Sequence, residues 1–283
     1  MKNSVRIKCP AKINLTLEIV NRRDDGFHNI KSIMQTINLY DYLIINIEDS
    51  PVQKIQLSGS SSEIPYDEKN LVFKAVDLFL SEAKIKHLSV RVNIEKNIPV
   101  SAGLAGGSTD AAGVIFGLNY LLKSFNKKQI DDLCAKLGSD LNVCLHGGTV
   151  LATSRGEIIK KLPSIESEVT LIKPKFLGIS AGEAYKKYSQ KNIKPQNNMT
   201  EKMLSAIKNQ TEIIEFLYND LEYAIFDDYI ELQNIKQAYP NSIMSGSGST
   251  YFILENITHN ILPDEYLFIN SLNFVPDGVS LAE

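Results

Sequence analysis

The sequence is short of cysteine, of long apolar runs and of excess positive charge, and each shortage removes a class of protein. Its three cysteines are Cys9, Cys134 and Cys144. They lie far apart and form no Cys-x-x-Cys pair, which argues against a disulfide framework and leaves buried thiols as the expectation. No segment is apolar for long enough to cross a bilayer, and the alternating start Met-Lys-Asn-Ser-Val-Arg-Ile-Lys carries no signal-peptide core. A cytoplasmic protein without a membrane partner is expected. The formal net charge is −3, and no basic strip is laced with aromatics, so nucleic acid is not an expected partner. Any anionic ligand must be held by local groups. Against these absences stand 283 residues, 43% of them hydrophobic, enough for one large domain or two medium ones. Two are expected, spanning residues 1–155 and 156–283.

The stretch around which the chain is organised runs from Pro99 to Gly113, Pro-Val-Ser-Ala-Gly-Leu-Ala-Gly-Gly-Ser-Thr-Asp-Ala-Ala-Gly. Before it, Leu88, Val90, Val92 and Ile94 alternate with polar residues, the pattern of a half-buried strand. After it, Ala111, Ala112, Ile115, Leu118 and Leu122 recur at helical spacing, with Ser108 or Thr109 as candidate N-cap. Gly103, Gly106 and Gly107 lack a Cβ, so the backbone can turn sharply and let an anion approach its N–H groups. The start of the following helix adds free donors and a partial positive charge. Strand, glycine loop and helix make either a phosphate cradle or a plain connecting turn. The spelling excludes a Walker A loop, because no Gly-Lys-Ser/Thr follows, and the glycines miss the dinucleotide spacing.

Elsewhere, Val5, Ile7 and Cys9 alternate with charged residues up to Pro10, and Ile13, Leu15, Leu17 and Ile19 continue the pattern. This predicts two strands or one broken strand, with Lys12 and Asn14 together on the face opposite the apolar row. Asp24-Asp25-Gly26 signals a turn into Phe27 and His28, a pair that suits loop packing or a flat heterocycle. Asn70 reads as the cap of a helix, and Gly138 as the stop of another that contains Ile130, Leu133 and Leu137. Asp140, at the mouth of the apolar run Leu141, Val143 and Leu145, is a helix cap or a catalytic base. Strands are expected at Thr149–Ala152, Val169–Lys173 and Tyr251–Leu254, and helices at Glu201–Lys208, Glu212–Tyr218 and Tyr229–Tyr239. Gly178-Ile-Ser-Ala-Gly182 fits either a capped helix start or the nucleophile elbow of a serine hydrolase. Ser242–Thr250 forms a second loop of glycine and serine, and two such loops could enclose a polyphosphate from both sides.

Together these motifs resemble a known family. Pro99–Gly113 is similar to the phosphate loop of the GHMP kinase superfamily, whose members phosphorylate small metabolites with ATP. Pro10-Ala-Lys-Ile-Asn-Leu, Asp25-Gly-Phe-His, Gly138-Ser-Asp, Gly147-Gly-Thr, Arg155-Gly-Glu and Met244-Ser-Gly-Ser-Gly-Ser-Thr resemble, in order, one branch of it that acts on a cytidine-bearing substrate. The resemblance implies an α+β, two-domain GHMP kinase fold. Its N-terminal ATP-binding domain would be like the second domain of ribosomal protein S5, and its C-terminal domain would pack helices on an antiparallel sheet, with the active site between. Other GHMP kinases, acting on mevalonate or homoserine, share the loop; the Asp-Gly-Phe-His turn argues against them.

What the resemblance implies for residues follows position by position. Asp140 matches the catalytic base and Lys12 the catalytic lysine, which would contact the γ-phosphate and the reacting hydroxyl. Pro99, Val100, Ser101, Ala102, Gly103, Leu104, Ala105, Gly106, Gly107, Ser108 and Thr109 match the ATP loop, and Asp110 at its end would help place the nucleoside. Asn14 and His28 would contact the cytidine part of a small-molecule substrate, with Phe27 on one face of the base and Tyr185 on the other. Mg2+ would accompany the ATP, and the enzyme would be a monomer or homodimer. Three departures from the family's usual pattern are present: Leu141-Asn142 stands where a hydrophobic residue and proline usually follow the aspartate, Phe27 where tyrosine is usual, and Ala105 where many members have glycine. From the last, positive φ is not expected at Ala105.

Overall fold

The structure is a computed structural model that describes residues 3–191 and 198–282. The alternation at the start of the chain becomes two long antiparallel strands, β1 (Ser4–Arg22) and β2 (His28–Asp49). Pro10 does not split β1: the ladder shifts register between Pro10 and Ala11 and then continues. A bulge is how a strand absorbs a residue without an N–H. This unbroken strand carries Lys12 and Asn14 into the middle of a sheet, with Ile13 and Leu15 buried on the other face. A second register shift, between Asn14 and Thr16, reverses the alternation and brings Leu17 and Ile19 onto the side of Lys12 and Asn14, so the expected single apolar row is broken in two.

Next come β3 (Lys54–Gly59), α1 (Leu71–Glu82), β4 (Leu88–Glu95), α2 (Gly106–Leu122), α3 (Lys127–Leu137) and α4 (Leu141–His146). Asn70 caps α1 by accepting from the Val72 N–H at 2.9 Å, and Asn126 with Gln129 forms a reciprocal capping box on α3. The far end of β2 pairs with β4, and its beginning pairs with β5 (Thr149–Ser154), which turns back into β6 (Ile158–Lys161). Apolar residues of α1, α2 and α3, among them Phe79, Ile115 and Leu133, close over Ile7, Leu43, Ile45 and Val92 of this sheet.

The rest of the chain adds β7 (Glu168–Pro174), α5 (Ala181–Gln190), α6 (Met199–Asn209), β8 (Tyr218–Asn219), α7 (Asp220–Ile225), α8 (Ile230–Ala238), β9 (Ile243–Met244), β10 (Tyr251–Ile253), β11 (Tyr266–Asn273) and β12 (Ser280–Leu281). A second, antiparallel sheet has the order β11-β7-β10-β9, whereas β8 and β12 pair with β1 of the first. Residue 155, the expected division, falls in the turn between β5 and β6.

Two elements differ from expectation. Residues Glu212–Tyr218 do not form an α-helix. They contain one 3-10 turn, Ile214–Phe216, and then Tyr218 and Asn219 pair in parallel with Thr16 and Leu17. Helical periodicity is overridden there by an open strand edge, and the Asn219 side chain starts α7 by accepting from the Leu221 N–H. The helix after the glycine loop begins at Gly106, ahead of the expected caps Ser108 and Thr109. Its N-cap is Ala105, held at φ 59°, ψ 29°, and no side chain caps it. Ala105 therefore takes the positive φ that its Cβ had argued against. The first-turn N–H groups are left without a side-chain acceptor, the arrangement that favours an anion.

Candidate active site

Lys12 is not a solvated strand lysine. Its side chain is 4% exposed, and its Nζ donates to Asn14 Oδ1 at 2.7 Å and to the Gly103 carbonyl at 3.2 Å. The third partner is Asp140 Oδ2 at 3.4 Å. An ammonium has three donors, so the group is fixed in position by three acceptors. Asn14 is oriented in turn: its Nδ2 donates to Ser32 Oγ at 2.9 Å, and its backbone N–H donates to Ser245 Oγ at 3.3 Å. Asp140 stands just before α4, where its side chain makes no capping bond, so the capping reading fails. Its carboxylate, 29% exposed, opens on the cavity beside Lys12.

The two loops of small residues meet at this point. Ser245 Oγ donates to the Gly103 carbonyl at 3.1 Å, and the Thr250 N–H to the Ala102 carbonyl at 3.3 Å. The second loop, Ser245–Thr250, joins β9 to β10 and is held from below by Asn219, whose Nδ2 donates to the Met244 and Gly246 carbonyls at 2.7 and 2.8 Å. Gly103 sits at φ 74°, and a Cβ there would lie 2.1 Å from the Ser245 carbonyl oxygen. Gly107 meets nothing within 4 Å. Gly103→Ala is accordingly expected to cost at least the left-handed backbone penalty, about 1–2 kcal/mol, and to prise the loops apart. Gly107→Ala should leave thermal stability unchanged. Melting midpoints and the KM for ATP of the two variants check this.

The cavity between the loops and α5 has a volume of about 1020 Å³. Its wall includes Lys12, Asn14, Asp140, Pro99, Val100, Ser101, Ala102, Gly103, Ala105, Gly106, Gly107, Ser108 and Asp110, together with Phe27, His28 and Tyr185. Leu104 and Thr109 are not on that wall; both side chains are buried. Tyr185 stacks on His28, with ring centroids 5.1 Å apart and planes at 17°. His28 Nε2 also meets Ser189 Oγ at 3.1 Å. Burial, with the nearby Arg22 charge, holds the imidazole below its ordinary range, which favours a neutral ring able to donate and accept. Phe27 is half exposed at the rim, with the Arg155 guanidinium 5.3 Å from its centroid. Ser180 is no nucleophile elbow: it has extended backbone, and its Oγ accepts from the Glu183 N–H at 3.2 Å as the cap of α5.

A model of the GHMP kinases N terminal domain matches residues 70–148. The chain is 39% identical to the 4-diphosphocytidyl-2-C-methyl-D-erythritol kinase of Caldicellulosiruptor bescii, over 91% of this chain and 92% of that relative. It is 38% identical to the protein of the same name from Clostridium tetani, over 88% and 90%. The chain belongs to the 4-diphosphocytidyl-2-C-methyl-D-erythritol kinase family. A crystal structure of a 4-(cytidine 5'-diphospho)-2C-methyl-D-erythritol kinase, 30% identical, matches 88% of this chain and 89% of its own with a TM-score of 0.71. A homoserine kinase from Cytophaga hutchinsonii superposes with a TM-score of 0.78 at 17% identity over 100% and 98% of the two chains, a likeness of fold alone.

In this 4-diphosphocytidyl-2-C-methyl-D-erythritol kinase fold the glycine loop rests on a feature that sequence reasoning missed. Lys96 pairs with Asp110 Oδ2 at 3.0 Å and with Asp41, all three side chains being buried. The only sequence signal was a lysine and an aspartate bracketing a glycine loop. Asp41 comes from β2, and nothing local announces it. Burial, opposed by the Lys96 charge and reinforced by Asp41, pushes the Asp110 carboxyl up to about 8. Asp110 thus lies at the cavity wall with one oxygen taken by Lys96.

Proposed function

We propose that this chain transfers the γ-phosphoryl group of ATP to the 2-hydroxyl of 4-diphosphocytidyl-2-C-methyl-D-erythritol, giving the 2-phosphate and ADP. This is a step of non-mevalonate isoprenoid precursor biosynthesis, and we place it in the cytoplasm; no helix among the described residues is long and apolar enough to cross a membrane. The observation that carries the reading is the Lys12 ammonium, fixed by Asn14 and Gly103 and facing the Asp140 carboxylate where the two loops meet.

Phosphoryl transfer needs little covalent help from a protein and much positioning. The uncapped start of α2 and the loop before it offer backbone N–H groups to the β- and γ-phosphates. Lys12 balances the charge on the transferring group. Asp140 accepts the proton of the attacking hydroxyl. Elsewhere on the wall, Phe27 offers a stacking face and His28, steadied by Tyr185, offers a hydrogen-bonding edge to the cytosine. Among the described residues no three His, Cys, Asp or Glu side chains gather into a metal cage. Mg2+ fits as an ion carried on the nucleotide, to which Ser108 on the wall would offer an oxygen ligand; when bound it would offset phosphate charge.

The test is ADP release with ATP and Mg2+ and, in turn, 4-diphosphocytidyl-2-C-methyl-D-erythritol, mevalonate and homoserine as acceptors. Turnover with the cytidyl substrate alone is expected. Turnover with one of the others in its place would remove the roles given to Phe27 and His28.

A further inference from the structure

The turn between β5 and β6 touches two separate segments of the cavity wall, the one that carries Phe27 and the one that carries Asp140. On one side, the Arg155 guanidinium lies over Phe27. Ser154 Oγ accepts from Arg23 Nη1 at 3.2 Å, and Arg23 pairs at 3.0 Å with Asp25, whose Oδ1 accepts from the Phe27 N–H at 3.1 Å. On the other side, the turn packs on the segment that carries Asp140. Asn142 Nδ2 donates to the Glu157 carbonyl at 3.0 Å, and a Cβ on Gly156, at φ 121°, would come within 3.3 Å of Ser139 Cβ. The turn is itself braced, because the Glu157 carboxylate accepts from the Arg155 N–H at 2.8 Å and from Ser154 Oγ at 3.1 Å.

We propose that the Arg155–Glu157 turn is a positioning bridge between the nucleobase end and the reacting end of the site, and that Asn142 is the residue through which it holds Asp140. This rests on the reading of Asp140 as the base. Asn142 is 7% exposed and sits two residues beyond Asp140, in the first turn of a helix of six residues. So short a helix is not held by its own hydrogen bonds. The hydrogen bond from its side-chain amide to the Glu157 carbonyl supplies a constraint in place of the one a proline would supply by fixing φ. A substrate that stacks its base on Phe27 and presents a hydroxyl to Asp140 therefore spans two points whose separation this turn fixes.

The experiment is a double-mutant cycle on steady-state kinetics with Asn142→Ala, Arg155→Met and the pair, with Asn142→Pro as rescue. Asn142→Ala is expected to lower kcat by about 10-fold to 100-fold, as misplacement of a reacting group does, with the KM for ATP unchanged. Asn142→Pro should recover most of that loss, which a role in packing alone would not allow. Arg155→Met should raise the KM for the cytidyl substrate, and the pair should lose less kcat/KM than the product of the single losses. Wild-type kcat in Asn142→Ala, no recovery by proline, or strictly multiplicative effects would each overturn the bridge. The Asp140→Asn variant separates the two readings: if it turns over normally, the base assignment fails first.

Discussion

Asp140→Asn is expected to reduce kcat by about 100-fold to 10,000-fold, the range for loss of a positioned general base. The substitution keeps the shape of the side chain and removes only the ability to take a proton. The surroundings survive it. Lys12 retains its bonds to Asn14 Oδ1 and the Gly103 carbonyl, and Asp140 makes no capping bond to α4 that could be lost. The Asp140 end of the pair is 29% exposed and its contact with Lys12 is the longest of the lysine's three, at 3.4 Å, so the uncharged amide leaves the buried ammonium its two shorter acceptors. The melting midpoint should therefore stay at the wild-type value, and the KM for ATP should change little. Stopped-time ADP assays and a thermal melt on the same sample decide it. Turnover close to wild type would leave Asp140 as no more than a partner that orients Lys12, and proton removal would have to pass to solvent.

The parts of this site that could be read from the sequence are those whose geometry is set locally. Lys12 and Asn14 share a face because strand side chains alternate, and the structure joins them at 2.7 Å. The glycine loop between an alternating run and a helical stripe is likewise a local pattern, and β4 and α2 flank it. What escaped was set by contacts distant in sequence or by strain. Asp41 meets Lys96 across 55 positions, and Arg155 meets Phe27 through two turns that no periodicity connects. Ala105 was expected to avoid positive φ because a Cβ disfavours it, yet the loop imposes 59°; such a cost persists where the surroundings over-determine the backbone. Glu212–Tyr218 has helical spacing but lies against the edge of β1, and pairing with that edge takes Tyr218. The Leu141-Asn142 departure is visible in the sequence, but the hydrogen bond from Asn142 to the Glu157 carbonyl joins segments 15 residues apart and is found only with both in view.

Lys96→Met is expected to destabilise the fold by about 3–5 kcal/mol, the cost of stripping the partner from a buried ion pair. For a chain of this size that is a fall in melting midpoint on the order of 10 °C. Asp41 and Asp110 are 0% and 3% exposed at their side chains, so neither can turn to water for replacement. Asp41 keeps two backbone donors, Asn97 at 2.6 Å and Ile98 at 2.8 Å. Asp110 has no such support: its Oδ1 is buried without a hydrogen-bond partner. The carboxyl already stands at about 8, against 3.8 for an ordinary aspartate. A carboxyl raised by folding contributes stability that is present below its unfolded value and lost as pH rises through its folded value. Stability drawn from Asp110 therefore declines between about pH 4 and pH 8. Without Lys96 the group is pushed higher still, and the decline should extend to more alkaline pH. Adding Asp110→Asn to Lys96→Met replaces the titrating carboxyl with a neutral amide, so the double variant should lose most of that pH dependence and melt above Lys96→Met at alkaline pH. Lys96 Nζ also lies 3.0 Å from where a Cβ on Gly106 would be, at the first residue of α2. Loss of the lysine should thus loosen the start of that helix and raise the KM for ATP, even at temperatures where the protein stays folded. An unchanged melting midpoint in Lys96→Met would mean that the two aspartates already share a proton and need no cation between them.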